Sequence, residues 1–359
     1  MTVLEVRTIS FNEHRAYVAA RPRIPLEQTP GWAKGFVTVR YEAVGWFEDD
    51  VLIGAGLFRY RGLPRIPQRS VAIFDAGPDI DWTGARRPSL GLDEWLSPLV
   101  DHLRSRGVFT ARINPPVNRR TWVGVSPTET STSREVVPAR PSEPDPMYAA
   151  VTQRLRETRW RPLSSRPAHY VTEVGLHAHR GAAGSSSTSH ELLPGITLRE
   201  GSFEDLAGYQ RSLRQRHPDI RVPRTSQFEA RWQGLSEDDV ARVRQYVAER
   251  DGEVLYGGMM AVVGDRAWDL SPSLPLPDAS LPEVQIVRRH MLEQAARLRA
   301  HWLVVPTAWH PGAQLPTAAA GWPPVRLRET MGTEVFTPRH TAEWQAAFER
   351  FSGYVAEAE

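Results

Sequence analysis

The sequence contains no cysteine, and this absence excludes several kinds of chemistry at once. Disulfide bonds, thiolate zinc sites and cysteine nucleophiles all require the cysteine sulfur. A phosphate-binding loop, a serine nucleophile elbow and a His-Glu-x-x-His motif are also missing from the sequence. The common sequence signatures of P-loop, serine-hydrolase and zinc-protease chemistry are therefore absent.

Long apolar runs are missing as well. No stretch approaches the roughly 20 apolar residues that a membrane-spanning helix requires. The first residues lack the basic-then-apolar pattern of a signal peptide. The formal net charge is only +2, which does not indicate a polycationic nucleic-acid coat. We expect a cytoplasmic protein with no transmembrane segment and no DNA partner.

Lysine is almost absent. Lys34 is the single lysine, so the rest of the 44 Lys+Arg residues are arginine. A GC-rich coding bias explains such an excess. A second explanation is that arginine forks bind phosphates through paired hydrogen bonds. Both explanations can hold together, so position in the fold decides which basic residues matter.

The chain has 359 residues, of which 41% are hydrophobic and 24% are charged. This length and composition predict two globular domains, each with its own core. An internal repeat supports the division. "DVLIGAGL" at 50–57 reappears as "EVLYGGMM" at 253–260, and "SFNEHRAY" at 10–17 reappears as "SFEDLAGY" at 202–209. Each copy of the second pair has a serine three residues before an acid, which is typical of a capping box.

Each copy of the repeat predicts the same order of elements: helix, helix, antiparallel hairpin, strand, helix, strand. This order indicates an α/β (α+β) fold with mixed sheets. It resembles the order of the GNAT acyltransferase fold, present twice. We expect a first domain at 1–165 that includes the C-terminal residues 336–359, and a second domain at 166–335. Loops are predicted at 124–146 and 177–194, and a terminal helix at Thr341 to Tyr354.

Short segments in a fixed order resemble the FemABX-type aminoacyltransferases, which have two GNAT-like domains. The similar segments cover most of the chain: "EQTPGWAKGF" at 27–36, "FDAGPDID" at 74–81, "TARINPPV" at 110–117, "LRETRWRPLSSRPAHYVTEVGL" at 155–176, "LRQRHPDIR" at 213–221 and "VRLRETMGTEVF" at 325–336. Each segment is short, and the ordered set carries the resemblance.

The resemblance implies an activity. Members of this family transfer an amino acid from aminoacyl-tRNA to an amine, so it implies that aminoacyl-tRNA is the co-substrate and that no separate cofactor is needed. The acceptor is either a peptidoglycan precursor or a small amine in a natural-product (antibiotic) pathway. An arginine-rich RNA contact would depend mainly on the phosphate backbone and on shape.

The resemblance also assigns roles to residues. Arg328 matches the cation that stabilises the developing oxyanion. Lys34 and Arg216 match the residues that bind acceptor phosphates. The remaining candidates are Arg214 and Arg221 beside Arg216, Trp32 beside Lys34, and Asp75 and Asp79 as proton acceptors. Each also has a structural interpretation, such as core packing for Trp32.

Three departures from the family pattern affect these expectations. Asn114 stands where the family has an aspartate, which argues against a carboxylate base there and leaves a substrate contact. Arg328 replaces a lysine. The segment 177–197 is too short for the arginine-rich arm of many peptidoglycan-directed members, which favours a small amine. Two alternatives remain open: an acyl-CoA-dependent N-acyltransferase, although neither copy has a pyrophosphate-binding loop, and a tandem module without catalysis.

Overall fold

The computed structural model describes residues 4–36, 39–63, 66–123, 145–158, 160–163, 170–176, 195–216, 218, 225–271, 281–307, 325–330 and 335–338. Within these residues the chain forms two large mixed sheets, each with a long antiparallel hairpin. The expected mixed α/β arrangement is confirmed. The predicted helix at Thr341 to Tyr354 lies outside the described residues, as does most of the two predicted loops.

The first sheet has five strands in chain order. Its strands are β1 (Glu5–Ile9), β2 (Tyr41–Glu48), β3 (Val51–Leu63), β4 (Ile66–Ile73) and β5 (Val108–Arg112). Helices α1 (Phe11–Ala19) and α2 (Pro30–Lys34) follow β1, and α3 (Leu92–Ser105) connects β4 to β5. Because of this helical crossover β4 and β5 are parallel, whereas the other pairs are antiparallel.

The second sheet has eight strands in the order β6, β14, β8, β13, β12, β11, β10, β9. Their bounds are β6 (Asn118–Val123), β8 (Tyr170–Gly175), β9 (Thr197–Glu200), β10 (Arg242–Arg250), β11 (Glu253–Val263), β12 (Arg266–Asp269), β13 (Trp302–Thr307) and β14 (Val325–Thr330). Strands β7 (Trp160–Leu163) and β15 (Val335–Pro338) form a separate pair. The helices are α4 (Pro146–Glu157), α5 (Phe203–Arg216), α6 (Thr225–Ser236) and α7 (Pro282–Arg297).

Both predicted capping boxes are present. The Ser10 hydroxyl accepts a hydrogen bond from the Glu13 amide at 3.1 Å, and the Glu13 carboxylate accepts one from the Ser10 amide at 2.7 Å. Ser202 and Asp205 make the same two bonds at 3.2 and 2.8 Å before α5. Each box satisfies amides that the first helical turn leaves unpaired, so the repeated sequence starts a helix at the same place in each half.

The two hairpins also turn alike. Asp49 and Asp50 connect β2 to β3 with positive φ angles of 47° and 63°. Asp251, with φ of 52°, and Gly252 connect β10 to β11. Two residues of positive φ match the right-handed twist of the strands, which explains why the turns fall where the sequence predicts them.

Each sheet has a core of its own. In the first half, Trp46 of β2 and Trp95 of α3 are fully buried, and the Trp46 indole donates to the Trp95 carbonyl at 2.6 Å. In the second half, Tyr209 of α5, Tyr256 of β11 and Met291 of α7 belong to a separate buried cluster. In each half, the burial of these apolar side chains packs the helices against the sheet.

The structure adds elements that the periodicity did not predict, notably β1 and β9. Both are short edge strands, and most of their residues are not buried, so their apolar signal is weak. The predicted division at 165/166 remains a prediction. Strand β6 precedes that boundary yet pairs with β14 in the second sheet. Among the described residues no helix combines the length and the apolar character that crossing a bilayer requires.

Candidate functional site

Helices α2 and α6 cross where one glycine faces another. A Cβ atom on Gly31 would lie 2.6 Å from the carbonyl oxygen of Gly234, and one on Gly234 would lie 2.5 Å from that of Gly31. Contacts this short are not tolerated, so any larger residue would force the two backbones apart. The crossing brings the two halves of the chain together beside the predicted residues Trp32 and Lys34.

Asp238, which follows α6, fixes the start of α2. Its Oδ2 accepts a hydrogen bond from the Gly31 amide at 2.6 Å, and its Oδ1 lies 3.4 Å from Arg15 Nε. The Asp238 side chain has no exposed surface. From the first half, the Thr29 hydroxyl accepts a hydrogen bond from the Trp32 amide at 3.3 Å. Groups from both halves therefore hold α2 in place.

Arg231 of α6 lies against two aromatic rings of the first half. Its guanidinium carbon is 4.4 Å from the centroid of Trp32 and 5.0 Å from that of Phe36. Its Nε is buried and has no hydrogen-bond partner. Burial lowers the pKa of Arg231, while Tyr41 and Glu27 raise it. Cation–π contact of this kind orients a guanidinium without neutralising its charge.

Acidic and phenolic groups lie close to Arg231. Burial raises the pKa of Glu27, and Asp75 adds to this effect, whereas a hydrogen bond from its own backbone amide and the charge of Arg231 act to lower the pKa. Burial also raises the pKa of Tyr41, whose buried hydroxyl has no hydrogen-bond partner. Asp75 is paired with Arg59, with Nε to Oδ2 at 2.9 Å and Nη2 to Oδ1 at 3.1 Å. Arg59 therefore compensates the charge of Asp75.

Asn114 connects the end of β5 to the loop that holds Asp75. Its Nδ2 donates to the Asp75 carbonyl at 2.7 Å. Its backbone exchanges two hydrogen bonds with Gly77, at 2.7 and 3.1 Å. An aspartate at this position could not donate to a carbonyl, because a carboxylate is only an acceptor. The Asn114 amide thus has a structural role here.

The side chain of Asp79, which lies between β4 and α3, is close to several hydrogen-bond donors. Its carboxylate accepts a hydrogen bond from the Tyr17 hydroxyl at 2.6 Å and one from Arg86 at 3.2 Å. Arg21 is 3.8 Å away. These donors hold the carboxylate between helix α1 and the segment that follows β4. The role of Asp79 as a base stays a prediction, and these contacts give it a structural role.

Lys34 ends α2 and pairs with Glu237 of the second half at 3.3 Å. Both side chains are about half exposed, and hydrogen bonds from Gln233 and Lys34 lower the pKa of Glu237. Lys34 also borders a pocket of about 240 Å³. The other residues of this pocket include Phe11, Ala33, Phe36, Val39 and Tyr41. The described lining of this pocket is mainly apolar and includes the Lys34 ammonium group and the Tyr41 phenol.

The remaining predicted residues lie elsewhere or outside the described structure. Arg214 and Arg216 are in the last turn of α5. Arg221 is outside the described residues. Arg328 is in β14, where its backbone pairs with Thr121 of β6 and Val171 of β8. The structure thus brings Trp32, Lys34, Asp75 and Asn114 into one region. The roles proposed for all these residues stay predictions.

Sequence reasoning missed Arg231, Tyr41 and Glu27. Glu27 lies only a few residues before Trp32, and "EARWQGL" places Arg231 beside a tryptophan within a predicted helix. Neither pattern reveals that Arg231 stacks on rings from the opposite half of the chain. In the described part of the chain, no group of three or more metal-ligating side chains is placed to hold a metal ion.

The fold has known structural counterparts. FemX has a TM-score of 0.64 at 12% identity, with 93% of this chain and 96% of that chain covered. A tandem GNAT protein from the clavulanic acid biosynthesis pathway has a TM-score of 0.48 at 14% identity, with coverage of 93% and 98%. A GCN5-related N-acetyltransferase from Sphaerobacter thermophilus has a TM-score of 0.43 at 10% identity, with coverage of 93% and 95%.

The similarity to FemX shows the class of fold. The chain has two tandem GNAT-like domains, as the repeated element order predicts. Within that class its fold is FemABX-like, since the FemX comparison extends over nearly the whole of both chains. No family model matches the chain, and no curated protein matches its sequence.

Proposed function

We propose that this protein is an aminoacyl-tRNA-dependent aminoacyltransferase that joins an amino acid to an amine acceptor through an amide bond. One observation carries the proposal. The segment around Trp32 and Lys34, which resembles the acceptor segment of the FemABX family, lies at the crossing of α2 and α6 in a FemX-like fold. An acceptor at this crossing would meet residues from both halves of the chain.

The reaction requires little from the protein beyond the orientation of the amine and the ester. The acceptor nitrogen attacks the ester carbonyl carbon, the bond from that carbon to the ribose oxygen breaks, and the amine proton passes to the ribose oxygen. Holding amine and ester in line supplies roughly 7–11 kcal/mol in favourable cases. A fixed cation near the oxyanion supplies about 3–4 kcal/mol more. Arg328 is our candidate for that cation.

Lys34 is our candidate for an acceptor contact. Its partner Glu237 is half exposed, and exposed ion pairs contribute little net stability. An oxyanion on the acceptor can therefore replace Glu237 at low cost. We favour a small amine of a specialised biosynthetic pathway over a peptidoglycan precursor, because the segment 177–197 is short and Asn114 replaces the family aspartate. Aminoacyl-tRNA is the proposed partner, and no separate cofactor is required.

An acyl-CoA donor is the competing function, and the helix starts argue against it. Pyrophosphate is commonly bound by free amides at the start of a helix. Pro282 is the first residue of α7 and has no amide hydrogen. The start of α3 follows "RPSLG", which also lacks the usual pyrophosphate-binding spacing.

The test compares donors directly. The protein is incubated with amine acceptors and one of three labelled donors: aminoacyl-tRNA, free amino acid with deacylated tRNA, or acetyl-CoA. We expect label in the acceptor from aminoacyl-tRNA alone. Transfer from acetyl-CoA, or transfer that does not need the ester bond to tRNA, would refute the proposal.

A further inference from the structure

A cluster of three exposed arginines, which we call the α7 patch, lies where α7 ends beside β10. It consists of Arg242 and Arg244 of β10 and of Arg297, the last residue of α7. The Arg242 guanidinium donates to the carbonyl of Leu298 at 2.9 Å, which places it beside Arg297. Burial raises the pKa of Tyr246 to about 12, whereas the charges of Arg244 and Arg297 both act to lower it. The three guanidinium groups therefore share one surface.

The charge of the α7 patch is weakly compensated by carboxylates. Neither Arg242 nor Arg297 forms an ion pair with any residue that the structure describes. Arg244 faces Glu200 with 3.9 Å between Nε and Oε1, and both of these side chains are about half exposed or more. An exposed ion pair of this kind contributes little net stability, so another anion can replace the carboxylate at low cost. The patch thus presents positive charge to solvent.

Neutral hydrogen-bonding groups lie next to these cations. The His290 ring packs edge-on against Tyr246 with 4.6 Å between the ring centroids. The Gln294 amide nitrogen is 3.3 Å from His290 Nε2, one helical turn further along α7. Amide and imidazole groups form hydrogen bonds with hydroxyl groups, such as the 2′-hydroxyl of a ribose. Cations beside such groups match a backbone of alternating phosphates and riboses.

The α7 patch is also near the candidate acceptor site. Arg242 follows Asp238 by four residues, and Asp238 binds the Gly31 amide at the crossing of α2 and α6. Four residues of extended chain span at most about 14 Å. An RNA duplex on the patch could therefore extend an unpaired 3′ end to the crossing.

We infer that the α7 patch binds the sugar-phosphate backbone of the acceptor arm of tRNA. This inference rests on the proposed function for the identity of the RNA as the aminoacyl donor. Arginine contacts to phosphates position an RNA without reading its bases, so binding at the patch is independent of base sequence and weakens as salt is added. The patch supplies affinity for the donor and takes no part in the bond-forming step.

The alternative is that these arginines only solvate the surface of an arginine-rich chain. The two interpretations differ in the importance of position. If the arginines act through net charge alone, removal of any three exposed arginines weakens RNA binding equally. If the patch is a docking surface, the loss is large at the patch and small elsewhere.

The experiment titrates the full chain into fluorescently labelled, deacylated bulk bacterial tRNA and follows anisotropy at several salt concentrations. The test protein combines Arg242→Gln, Arg244→Gln and Arg297→Gln. The matched control changes three exposed arginines of the first half: Arg7→Gln, Arg69→Gln and Arg104→Gln. Each combination changes the formal net charge from +2 to −1, so only position differs.

We expect the patch variant to bind tRNA at least tenfold more weakly than the wild type, and the control to lose less than threefold. The plot of log affinity against log salt should become shallower by about 2 to 3 in the patch variant, because three phosphate contacts are lost. An RNA hairpin with only an acceptor arm and its CCA end should show the same tenfold loss. Thermal unfolding of each protein reports whether it is folded.

Equal losses in the two triple variants, or wild-type binding by the patch variant, would overturn the inference. A loss with whole tRNA but not with the hairpin would also overturn it, because the contact would lie outside the acceptor arm. The same holds if vesicles of phosphatidylcholine and phosphatidylglycerol bind the wild type as tightly as tRNA does and lose affinity with the patch variant. If the triple variant does not fold, Arg297→Glu decides: it should weaken tRNA binding at least threefold, and wild-type affinity would contradict the inference.

The binding assay uses deacylated tRNA, so its result is separate from the donor test. Transfer from aminoacyl-tRNA together with wild-type binding by the patch variant would remove the patch and leave the proposed reaction standing. Patch-dependent binding without transfer would leave the RNA surface standing and remove the proposed reaction.

Discussion

The arginines of this chain differ in whether a carboxylate accompanies them. Arg59 is paired with Asp75, and Arg199 bridges Asp205 and Glu249, each at 2.8 Å. Such pairs account for an arginine structurally. Arg231 is different, because it stacks on aromatic rings and has no carboxylate of its own within the described residues. Position in the fold therefore separates the arginines that a carboxylate explains from those held by other contacts.

Removal of either proposed cation should slow transfer. We expect Lys34→Ala and Arg328→Ala each to lower turnover at least about tenfold, or roughly 1.4 kcal/mol in the barrier, without loss of folding. The measurement is the rate of labelled amide formation from aminoacyl-tRNA. Glu237→Gln is the matched control: it removes the partner of Lys34 and keeps the ammonium, so turnover should not fall. Wild-type rates in both alanine variants would leave these residues with structural roles only.

Glu42 should make stability depend on pH. Burial raises its pKa, but the His102 imidazole 3.5 Å away, hydrogen bonds from Thr8 and Tyr60, and the charge of Arg106 outweigh burial and lower the pKa to about 2. The folded-state pKa lies below the ordinary value of 4.5, so the unfolded state binds the proton more readily. The contribution of ionised Glu42 to the free energy of unfolding is therefore complete above about pH 4.5 and is lost as the pH falls towards 2. We expect about 3 kcal/mol over that interval.

Glu42→Gln tests this expectation in urea unfolding at a series of pH values. The variant cannot ionise, so the wild type should be more stable near neutral pH and the difference should shrink as the pH falls through the stated interval. If the difference in the free energy of unfolding between the two proteins stayed constant down to pH 2, the contacts of Glu42 would not lower the pKa of its carboxyl group.

Contacts of single residues were the part that the sequence could least predict. The Asn114 amide donates to the Asp75 carbonyl, and this role follows only from the loop geometry that brings them together. Arg231 contacts Trp32 although the two residues are far apart in the sequence, and no local sequence pattern predicts such a contact. The sequence did indicate Lys34 and Trp32 as candidates, because the segment that contains them resembles a segment of the FemABX-type aminoacyltransferases.

At the level of elements, the crossing of α2 and α6 depends on two glycines. Gly234→Ala should place a methyl group 2.5 Å from the Gly31 carbonyl oxygen and push the helices apart. We expect a loss of about 1–3 kcal/mol in the free energy of unfolding. Gly62→Ala in β3 is the control, because nothing lies within 4 Å of the added Cβ there. Equal stability of the two variants would contradict a close crossing.

The elements that the sequence predicted well have strong local signals. Capping boxes fix the starts of α1 and α5, and two-residue turns fix both hairpins, so their positions could be read from the chain. Strands β1 and β9 could not, because a short edge strand has little apolar periodicity. The pairing of β6 with β14 joins segments far apart in sequence, which no local pattern predicts.

At the scale of the whole molecule, the two halves are joined by contacts of several kinds. Asp238 accepts from the Gly31 amide, Lys34 pairs with Glu237, and the Asp265 amide donates to the Pro22 carbonyl at 3.1 Å. All three connect the segment from Pro22 to Lys34 to the second half. The candidate acceptor site therefore depends on both GNAT-like halves, although its pocket is lined by the first.

In the proposed reaction the amide is made from the ester of aminoacyl-tRNA. The most direct measurement follows a labelled aminoacyl-tRNA and an oxyanion-bearing amine together, using mass spectrometry for the product and counting deacylated tRNA. We predict one amide formed for each tRNA deacylated in excess of spontaneous hydrolysis, with the acceptor heavier by one amino-acid residue. An equal yield of the same amide from free amino acid with deacylated tRNA would contradict the account.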